Sequence, residues 1–399
     1  MKFYYKLLIF TLLLLLPALA CGSDSPSTST SSSSTSIDTE QETQIEDQEE
    51  VEADEETEQI SESTDTPAND PEPTSEPTAT PLPPTPTPLP IGHSRSNPYP
   101  ISEIVNAPNW DVQVLEIVKG EEAWQAIQSA NQFNEPPKEG MEYILVKLYV
   151  KSTYTDDEAH TIGSSDFRVT GDQYIRYSSA SVVEPEPQLD AELFTDGESE
   201  GWVAFEVTGG ETNLILIVDE LFNFDEDRLR FIELEEGSHI NIPENLVSIQ
   251  PTDLGVERSS PAPFGETVLT EEWEITITEV IKGDDALVMV QDANQFNEPP
   301  EEGLEYIAVK VLIRYIGTDD ESDSIDGSFF KSTGDASVIY DLPSVVDPEP
   351  ALNIDLFPGG ETEGWIIVQS AIDETGMKLI FEPIFDFSGD NKRFISIEP

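Results

Sequence analysis

The chain is organised around an internal duplication. The segment ANQFNEPPKEGMEYILVKL, which begins at Ala130, returns as ANQFNEPPEEGLEYIAVKV from Ala293. The same offset of 163 residues carries Trp110 onto Trp273. One module of about 140 residues is therefore present twice, and the two copies are expected to share one fold. Tryptophans that recur at the same place in a small domain are expected to be packing anchors of its core.

The clearest local signal is an alternation of apolar and polar residues. Ile144, Val146, Leu148 and Val150 share one face of the segment 141–151, and the second copy repeats the pattern. A period of two residues predicts a long strand with one face on a core. Shorter apolar segments (GWVAFEV, NLILIV and RFIEL) predict later strands separated by turn residues.

Signals for helices are slight. Residues 121–129 have the spacing of a turn or two of helix, but the equivalent segment DDALVMVQD in the second copy is rich in β-branched residues. We therefore expect a short or irregular element at this place. Several short strands without amphipathic helices between them predict an all-β sandwich in each module.

The N-terminus has the features of an export signal. Lys2 and Lys6 flank a short n-region. The apolar segment that follows, 7–16, is too short to span a bilayer, and small residues then lead to Cys21. This order predicts a lipoprotein signal peptide over residues 1–20, with Cys21 as the lipidated first residue of the mature protein. The lipid would anchor the chain to the extracytoplasmic side of a membrane. Because Cys21 is the single cysteine, the modules must be held by core packing and not by internal disulfides.

A disordered tether is expected over residues 21–95. Between residues 22 and 90 there is no Lys or Arg, and the composition passes from Ser and Thr to acidic residues and then to Pro and Thr. Such a segment cannot bury enough apolar surface to offset its ordering entropy. We predict sandwich domains over residues 96–236 and 259–399, with a linker over 237–258.

Several motifs of the modules resemble a known family. EGMEYILVKLYVKS, FRVTGDQYIRY and LFTDGESEGWVAFEV follow one another in the first copy, and LFPGGETEGWIIVQ occurs in the second. These strand and turn motifs resemble the telokin-like, immunoglobulin-fold family called domain of unknown function 4352, which is common in bacterial lipoproteins. The resemblance implies two tandem immunoglobulin-like β-sandwich domains and a surface location. It brings no catalytic residues.

The most strongly repeated polar segment, NQFNEPP, is the first candidate site. In a functional interpretation it forms a recognition loop in each module. In a structural interpretation the asparagine side chains bond nearby backbone and the phenylalanine plugs the end of the sandwich. The candidate residues are Asn131, Phe133, Asn134, Asn294, Phe296 and Asn297.

An acidic loop that follows the long strand in both copies is the second candidate. Calcium binds clustered carboxylate and carbonyl oxygens, which the repeated TDDE motif can supply, although its spacing does not match an EF-hand loop. The alternative is a solvated acidic surface. The candidate calcium ligands are Asp156, Asp157, Glu158, Asp319, Asp320 and Glu321. No other cofactor is indicated.

Charge and motifs also restrict function. A net charge of −62 argues against nucleic acid as a partner, because phosphate recognition relies on clustered Lys and Arg. The sequence has no nucleophile elbow, phosphate-binding glycine loop or zinc pattern, so we expect no enzymatic activity. We expect a membrane-anchored lipoprotein that binds an unknown protein or cell-envelope ligand. The alternatives are a structural or protective envelope spacer without a discrete ligand, and a calcium-dependent surface binder.

Overall fold

The computed structural model describes residues 89–398, except for positions 222, 224, 226, 384, 385, 387 and 388. The described residues belong to one compact unit, Pro88–Pro399. The predicted signal peptide, Cys21 and most of the predicted tether lie outside the described residues.

The elements of the first module are ten strands and one α-helix in the described part of the chain. They are β1 (Val105–Asn106), β2 (Trp110–Lys119), α1 (Gly120–Ala130), β3 (Met141–Ser152), β4 (His160–Gly163), β5 (Phe167–Thr170), β6 (Tyr177–Ser178), β7 (Asp190–Leu193), β8 (Glu198–Thr208), β9 (Ile215–Val218) and β10 (Arg230–Glu233).

The elements of the second module follow in the same order. They are β11 (Val268–Leu269), β12 (Trp273–Lys282), α2 (Asp284–Ala293), β13 (Leu304–Tyr315), β14 (Asp323–Asp326), β15 (Phe330–Thr333), β16 (Ile339–Tyr340), β17 (Asn353–Leu356), β18 (Glu361–Ala371), β19 (Lys378–Phe381) and β20 (Arg393–Ser396).

Two antiparallel sheets form the first sandwich. One has the strand order β1-β2-β3-β8 and the other β10-β9-β5-β6, while β4 and β7 form a separate pair. The core lies between the two large sheets, where Trp110 is 1% exposed and Phe167 and Phe205 are fully buried. The alternation predicted for β3 is confirmed, since Ile144 and Val146 are fully buried on its core face.

The second sandwich repeats the first in detail. Its sheets have the orders β11-β12-β13-β18 and β16-β15-β19-β20, and β14 pairs with β17. A bulge between Val114 and Glu116 of β2 recurs between Ile277 and Glu279 of β12. Trp273 is 1% exposed, as Trp110 is. The predicted all-β fold with two tandem immunoglobulin-like sandwiches is therefore confirmed.

The helices differ from the prediction of a short or irregular element. α1 has 11 residues and α2 has 10. Ala123 and Ile127 of α1 are fully buried against Tyr143 and Leu145, which lie on the face of β3 that was expected to be solvated. Packing of an amphipathic face supplies most of the stability of a short helix, and here it overrides the weak preference of β-branched residues for strands.

The two sandwiches pack directly against each other. Ile215 and Ile217, on the outer face of β9, form a buried cluster with Phe357 of the second module. The backbone continues this contact, because Ile175 pairs with Leu356 in an isolated antiparallel bridge. A segment of the first module thereby extends the small β14-β17 sheet of the second.

Arg95 closes the contact between the modules. Its side chain is fully buried, and its Nε donates to Oδ1 of Asp320 at 2.7 Å while its backbone N–H donates to Oδ2 at 3.0 Å. Burial lowers the pKa of Arg95, and the Asp320 carboxylate opposes that change. The predicted tether therefore extended too far, since its last residue lies inside the folded unit. The carboxylate that holds Arg95 lies 225 positions further along the chain, out of reach of local sequence patterns.

The segment predicted as a linker is also packed. It contains a short 3-10 helix, Glu244–Ser248, in which Leu246 is 1% exposed. Ile240 is 4% exposed, and its backbone N–H donates to the carbonyl oxygen of Arg95 at 2.9 Å. This segment therefore helps to cover the contact between the modules.

Candidate binding surface

Each phenylalanine loop begins where a helix ends. The backbone N–H of Asn131 donates to the carbonyl oxygen of Ile127 at 3.2 Å, directly after α1. The Asn131 side-chain oxygen then accepts the N–H of Phe133 at 3.0 Å, a local turn that a short asparagine side chain favours. The N–H of Asn134 donates to the Asn131 carbonyl at 3.0 Å. Phe133 therefore lies at the tip of a closed turn.

Asn134 fastens this turn to two other segments. Its Nδ2 donates to the carbonyl oxygens of Ile127 and Val183, both at 2.8 Å. Its Oδ1 accepts the N–H of Val183 at 2.9 Å. Tyr143 of β3 donates its hydroxyl to the carbonyl oxygen of Glu135 at 3.2 Å. The turn is held from three sides, which fixes its conformation.

The second module builds the same loop with the equivalent residues. Asn294 accepts the N–H of Phe296 at 3.0 Å. Asn297 donates to Val290 and Val346 carbonyl oxygens at 2.7 and 2.9 Å and accepts the N–H of Val346 at 2.8 Å. The prediction that these asparagines bond nearby backbone is therefore confirmed in both copies.

The phenylalanines do not plug the sandwich ends. Phe133 and Phe296 are each 81% exposed, so this part of the structural interpretation is wrong. Ala123 and Ile127 of the helix pack against the adjacent sheet, where the phenylalanine ring was expected to pack. The asparagines hold each ring outward in a fixed loop.

A valine accompanies each phenylalanine loop. Val183 is 40% exposed and Val346 is 52% exposed, and each is bonded through its backbone to the asparagine described above. We call Phe133 with Val183, and Phe296 with Val346, the two apolar tips. No sequence pattern indicated that these valines belong to the site, although the motifs SVVEPEP and SVVDPEP recur at the two segments.

An acidic residue lies directly after each tip valine. Burial raises the pKa of the Glu184 carboxyl above its ordinary value. Burial also raises the pKa of Asp347 to about 6, against the effect of a hydrogen bond from the Ile367 N–H at 3.2 Å. Both acids therefore hold protons more strongly than exposed carboxyls do.

An ion pair connects the surroundings of the two tips. Lys138, in the loop that carries Phe133, lies with its Nζ 2.9 Å from Oε1 of Glu349, three residues after Val346. This hydrogen bond raises the pKa of Lys138 and lowers that of Glu349. The pair is mostly exposed, so it contributes little to stability.

The acidic loops make different contacts in the two modules. Asp156 pairs with Nε2 of His160 at 2.9 Å, whereas Asp320 holds Arg95. The other candidate ligands are exposed: Asp157, Glu158, Asp319 and Glu321. In the described part of the chain, no group of three His, Cys, Asp or Glu residues could hold a metal ion. The calcium site stays a prediction without a ligand cluster to support it.

The described ranges contain no helix with the length and apolar character needed to cross a bilayer. The fold and the apolar tips define a tandem immunoglobulin-like β-sandwich protein with two exposed, equivalent loops. Residues 99–228, which include most of the first sandwich, match the model of a family described as "Domain of unknown function (DUF4352)". The resemblance inferred from the strand and turn motifs is confirmed.

Solved structures also resemble parts of the chain. ycdA from Bacillus subtilis subsp. subtilis str. 168, a candidate lipoprotein, is 14% identical with a TM-score of 0.26, over 34% of this chain and only 39% of that protein. The yjhA protein from Bacillus subtilis is 8% identical with a TM-score of 0.25, over 34% of this chain and 99% of yjhA. An uncharacterised β-sandwich protein from Clostridium difficile 630 is 11% identical with a TM-score of 0.24, over 38% and 100% of the two chains. No curated protein matches the chain.

Proposed function

We propose that the chain is a lipid-anchored, extracytoplasmic binding protein without enzymatic activity, and that the two apolar tips are its binding surface. The observation that carries the proposal is the 81% exposure of both Phe133 and Phe296 in loops that are fastened in the same way. Lipidation of Cys21 is the proposed anchor.

Preorganisation of the two loops favours binding at the apolar tips. An exposed phenylalanine gains about 1.5–3 kcal/mol when a partner buries it, and a ring on a fixed loop loses little conformational entropy at that moment. The asparagine bonds provide this fixed loop in both modules. Aromatic anchors of this kind typically supply most of the binding energy of a small interface.

Two tips on one chain also favour a repetitive or two-site partner. Once one tip is bound, the second contact becomes intramolecular, and the overall affinity can exceed that of either tip by 10²-fold or more. The partner chemistry that fits is an apolar pocket on a protein or other component of the cell envelope. The strong negative charge disfavours nucleic acid.

The test uses intact cell envelopes of the producing organism as the probe. The chain from Gly22 onward is added over a range of concentrations, and the bound fraction is measured for wild type, Phe133→Ser, Phe296→Ser and the double variant. Each single variant is expected to lose about tenfold in apparent affinity, and the double variant to lose at least 10²-fold. Val247→Ser is the matched control, since Val247 is 70% exposed but lies outside the tips.

Equal binding by wild type and the double variant would overturn the proposal and leave the envelope spacer as the better description. The anchor is tested separately in cells. Cys21→Ser is expected to release the full-length chain from the membrane fraction, whereas retention of this variant would contradict lipidation at Cys21.

A further inference from the structure

We propose that this protein assembles head to tail with further copies of itself, through surfaces equivalent to those that join its two modules. The occupant of each free surface is a second copy of this chain. The proposal does not use the rings of Phe133 and Phe296.

The contact within one chain is heterologous, since each module contributes a different surface. The first module contributes its rear surface, which we define by Arg95, Ile175 and Ile217. The second module contributes its front surface, which we define by Asp320 and Phe357. A heterologous contact leaves one surface of each kind unused, and so it can continue from molecule to molecule.

The unused front surface belongs to the first module. At the offset of 163 residues, Asp157 is equivalent to Asp320 and Phe194 to Phe357. Phe357 is 1% exposed in the contact, whereas Phe194 is 61% exposed. The first module therefore presents the same acid and the same aromatic ring as the buried front surface, but without a cover among the described residues.

The free strand edge supports this assignment. In the second module, the chain segment at Tyr174 and Ile175 adds to the edge of β17, and the N–H of Phe357 donates to the Tyr174 carbonyl at 2.7 Å. Strand β7 of the first module is the equivalent of β17. In the two-stranded sheet that the structure describes, β7 pairs with β4 only. An unpaired strand edge is a ready site for another chain to add a strand.

The unused rear surface belongs to the second module. Arg258 is equivalent to Arg95, and Val338 and Ile339 are equivalent to Ile175 and Arg176, whereas Ile380, the equivalent of Ile217, is already buried within the second module. Val338 is 47% exposed and Ile339 is 56% exposed. The rear surface therefore retains its arginine and offers apolar side chains on the segment that would pair with β7 of another copy.

Arg258 makes hydrogen bonds within its own module, but one of its nitrogen atoms has no hydrogen-bond partner among the described residues. One of its terminal nitrogens, Nη2, donates to the Gly334 carbonyl at 2.6 Å and the Ser337 hydroxyl at 2.9 Å. Its Nε is buried and has no hydrogen-bond partner among the described residues. In the equivalent contact, the Nε of Arg95 donates to Asp320. In the proposed assembly, Asp157 of a second copy pairs with the guanidinium group of Arg258.

Charge is complementary at the arginine, although Glu301 and Glu186 take the places of the Lys138–Glu349 ion pair. The front surface carries the acidic loop with Asp157 and Glu158 beside Phe194, while the rear surface carries Arg258 together with Lys378, which replaces the apolar Ile215 of the first module. The large net charge opposes association at long range. At about 0.15 M salt this repulsion is screened beyond roughly 8 Å, and the close contacts remain.

The required affinity is modest. Two modules joined by a short connection experience an effective concentration of about 1 mM, so a contact that is stable within one chain need only have a dissociation constant near or below that value. A contact of that strength between chains would be populated near 1 mM. Chains concentrated on one membrane surface would then associate.

The test measures mass by sedimentation equilibrium for the chain from Gly22 onward, up to about 1 mM in 0.15 M sodium chloride, the range in which such a contact is populated. We expect the average mass of the wild type to rise past twice that of the monomer. Phe194→Ser removes the front surface and Arg258→Glu removes the rear surface, and each variant alone should stay monomeric. Because both residues are at least partly exposed, circular dichroism should show an unchanged fold.

A mixture of the two variants gives the sharpest result. Each variant retains the surface that the other lacks, so the front surface of one can bind the rear surface of the other. The mixture should therefore form dimers and nothing larger. A symmetric dimer contact could not produce this result. Val247→Ser is the control and should associate like the wild type. The proposal is overturned if the wild type stays monomeric, if either variant alone associates as the wild type does, or if the mixture forms no dimers.

Discussion

The guanidinium carbon of Arg95 lies 3.8 Å from the ring centroid of Phe357, across the contact between the two sandwiches. The same arginine holds Asp320 of the second module. One residue of the first module therefore supplies both a cation–π contact and an ion pair to the second. Arg95 therefore links two modules that, from the sequence alone, could be independent domains.

Arg95→Ala is expected to destabilise the folded unit. The substitution leaves Asp320 partly buried without its partner, and breaking a buried pair in this way costs about 3 kcal/mol. Urea denaturation should show a lower midpoint, with the two modules unfolding in separate transitions. Arg314→Ala removes an ion pair to Glu274 that is more exposed, and it should cost under about 1 kcal/mol. A single unchanged transition in Arg95→Ala would contradict the coupling.

Asn134→Ala is expected to loosen the first apolar tip. The amide makes hydrogen bonds to Ile127 and Val183, and its loss leaves backbone groups without partners at a cost of about 2 kcal/mol. Proteolysis of the native protein should become faster at this loop. Gln132→Ala, at an exposed neighbouring position, is the control and should change neither stability nor cleavage. Identical cleavage rates in both variants would show that Asn134 does not fasten the loop.

Two substitutions in α2 are expected to change the stability of the protein in opposite directions. Val290 is fully buried, so Val290→Ala should destabilise the protein by about 2 kcal/mol through lost apolar contact and the remaining cavity. Val288 is 55% exposed, so Val288→Ala should stabilise it by a few tenths of a kcal/mol, up to about 0.7, because alanine is the better helix former. Thermal unfolding measures both. Destabilisation of similar size by both substitutions would contradict the helix.

Asp347→Asn is expected to remove a pH-dependent loss of stability. The folded pKa of Asp347 is about 6, above its ordinary value of 3.8, so between these values the folded state binds a proton that the unfolded state has released. Stability from this group is therefore present at low pH and falls as pH rises through the window. The melting temperature of the variant, relative to wild type, should increase between pH 4 and pH 7. Exposed Asp341→Asn should show no such trend, and the account fails if the two variants behave alike.

The sequence predicted the parts of the fold that depend on local periodicity. The alternation in β3 and the repeated tryptophans identified strands and core because burial on one face leaves a direct pattern in the chain. The helix α2 was missed because packing against β13 decides its conformation, and the β-branched segment by itself favours a strand.

The site was predicted only in part for a similar reason. Repetition identified the asparagine loops, but exposure of Phe133 depends on what already fills the adjacent space, and that was the helix. The contact between modules joins Arg95 to residues more than 200 positions away, and Arg95 lies beside a composition typical of disorder. No local sequence pattern predicts such a contact.

The most direct measurement of the proposed binding surface is photocrosslinking in intact cells. A p-benzoylphenylalanine residue is placed at position 133, 296 or 247 of the full-length chain, and the first two replace exposed aromatic rings with little change of shape. The account predicts a strong crosslinked product from positions 133 and 296, to the same envelope component because the two loops are equivalent, and none from position 247. Crosslinking from position 247 alone, or equally from all three positions, would contradict the account.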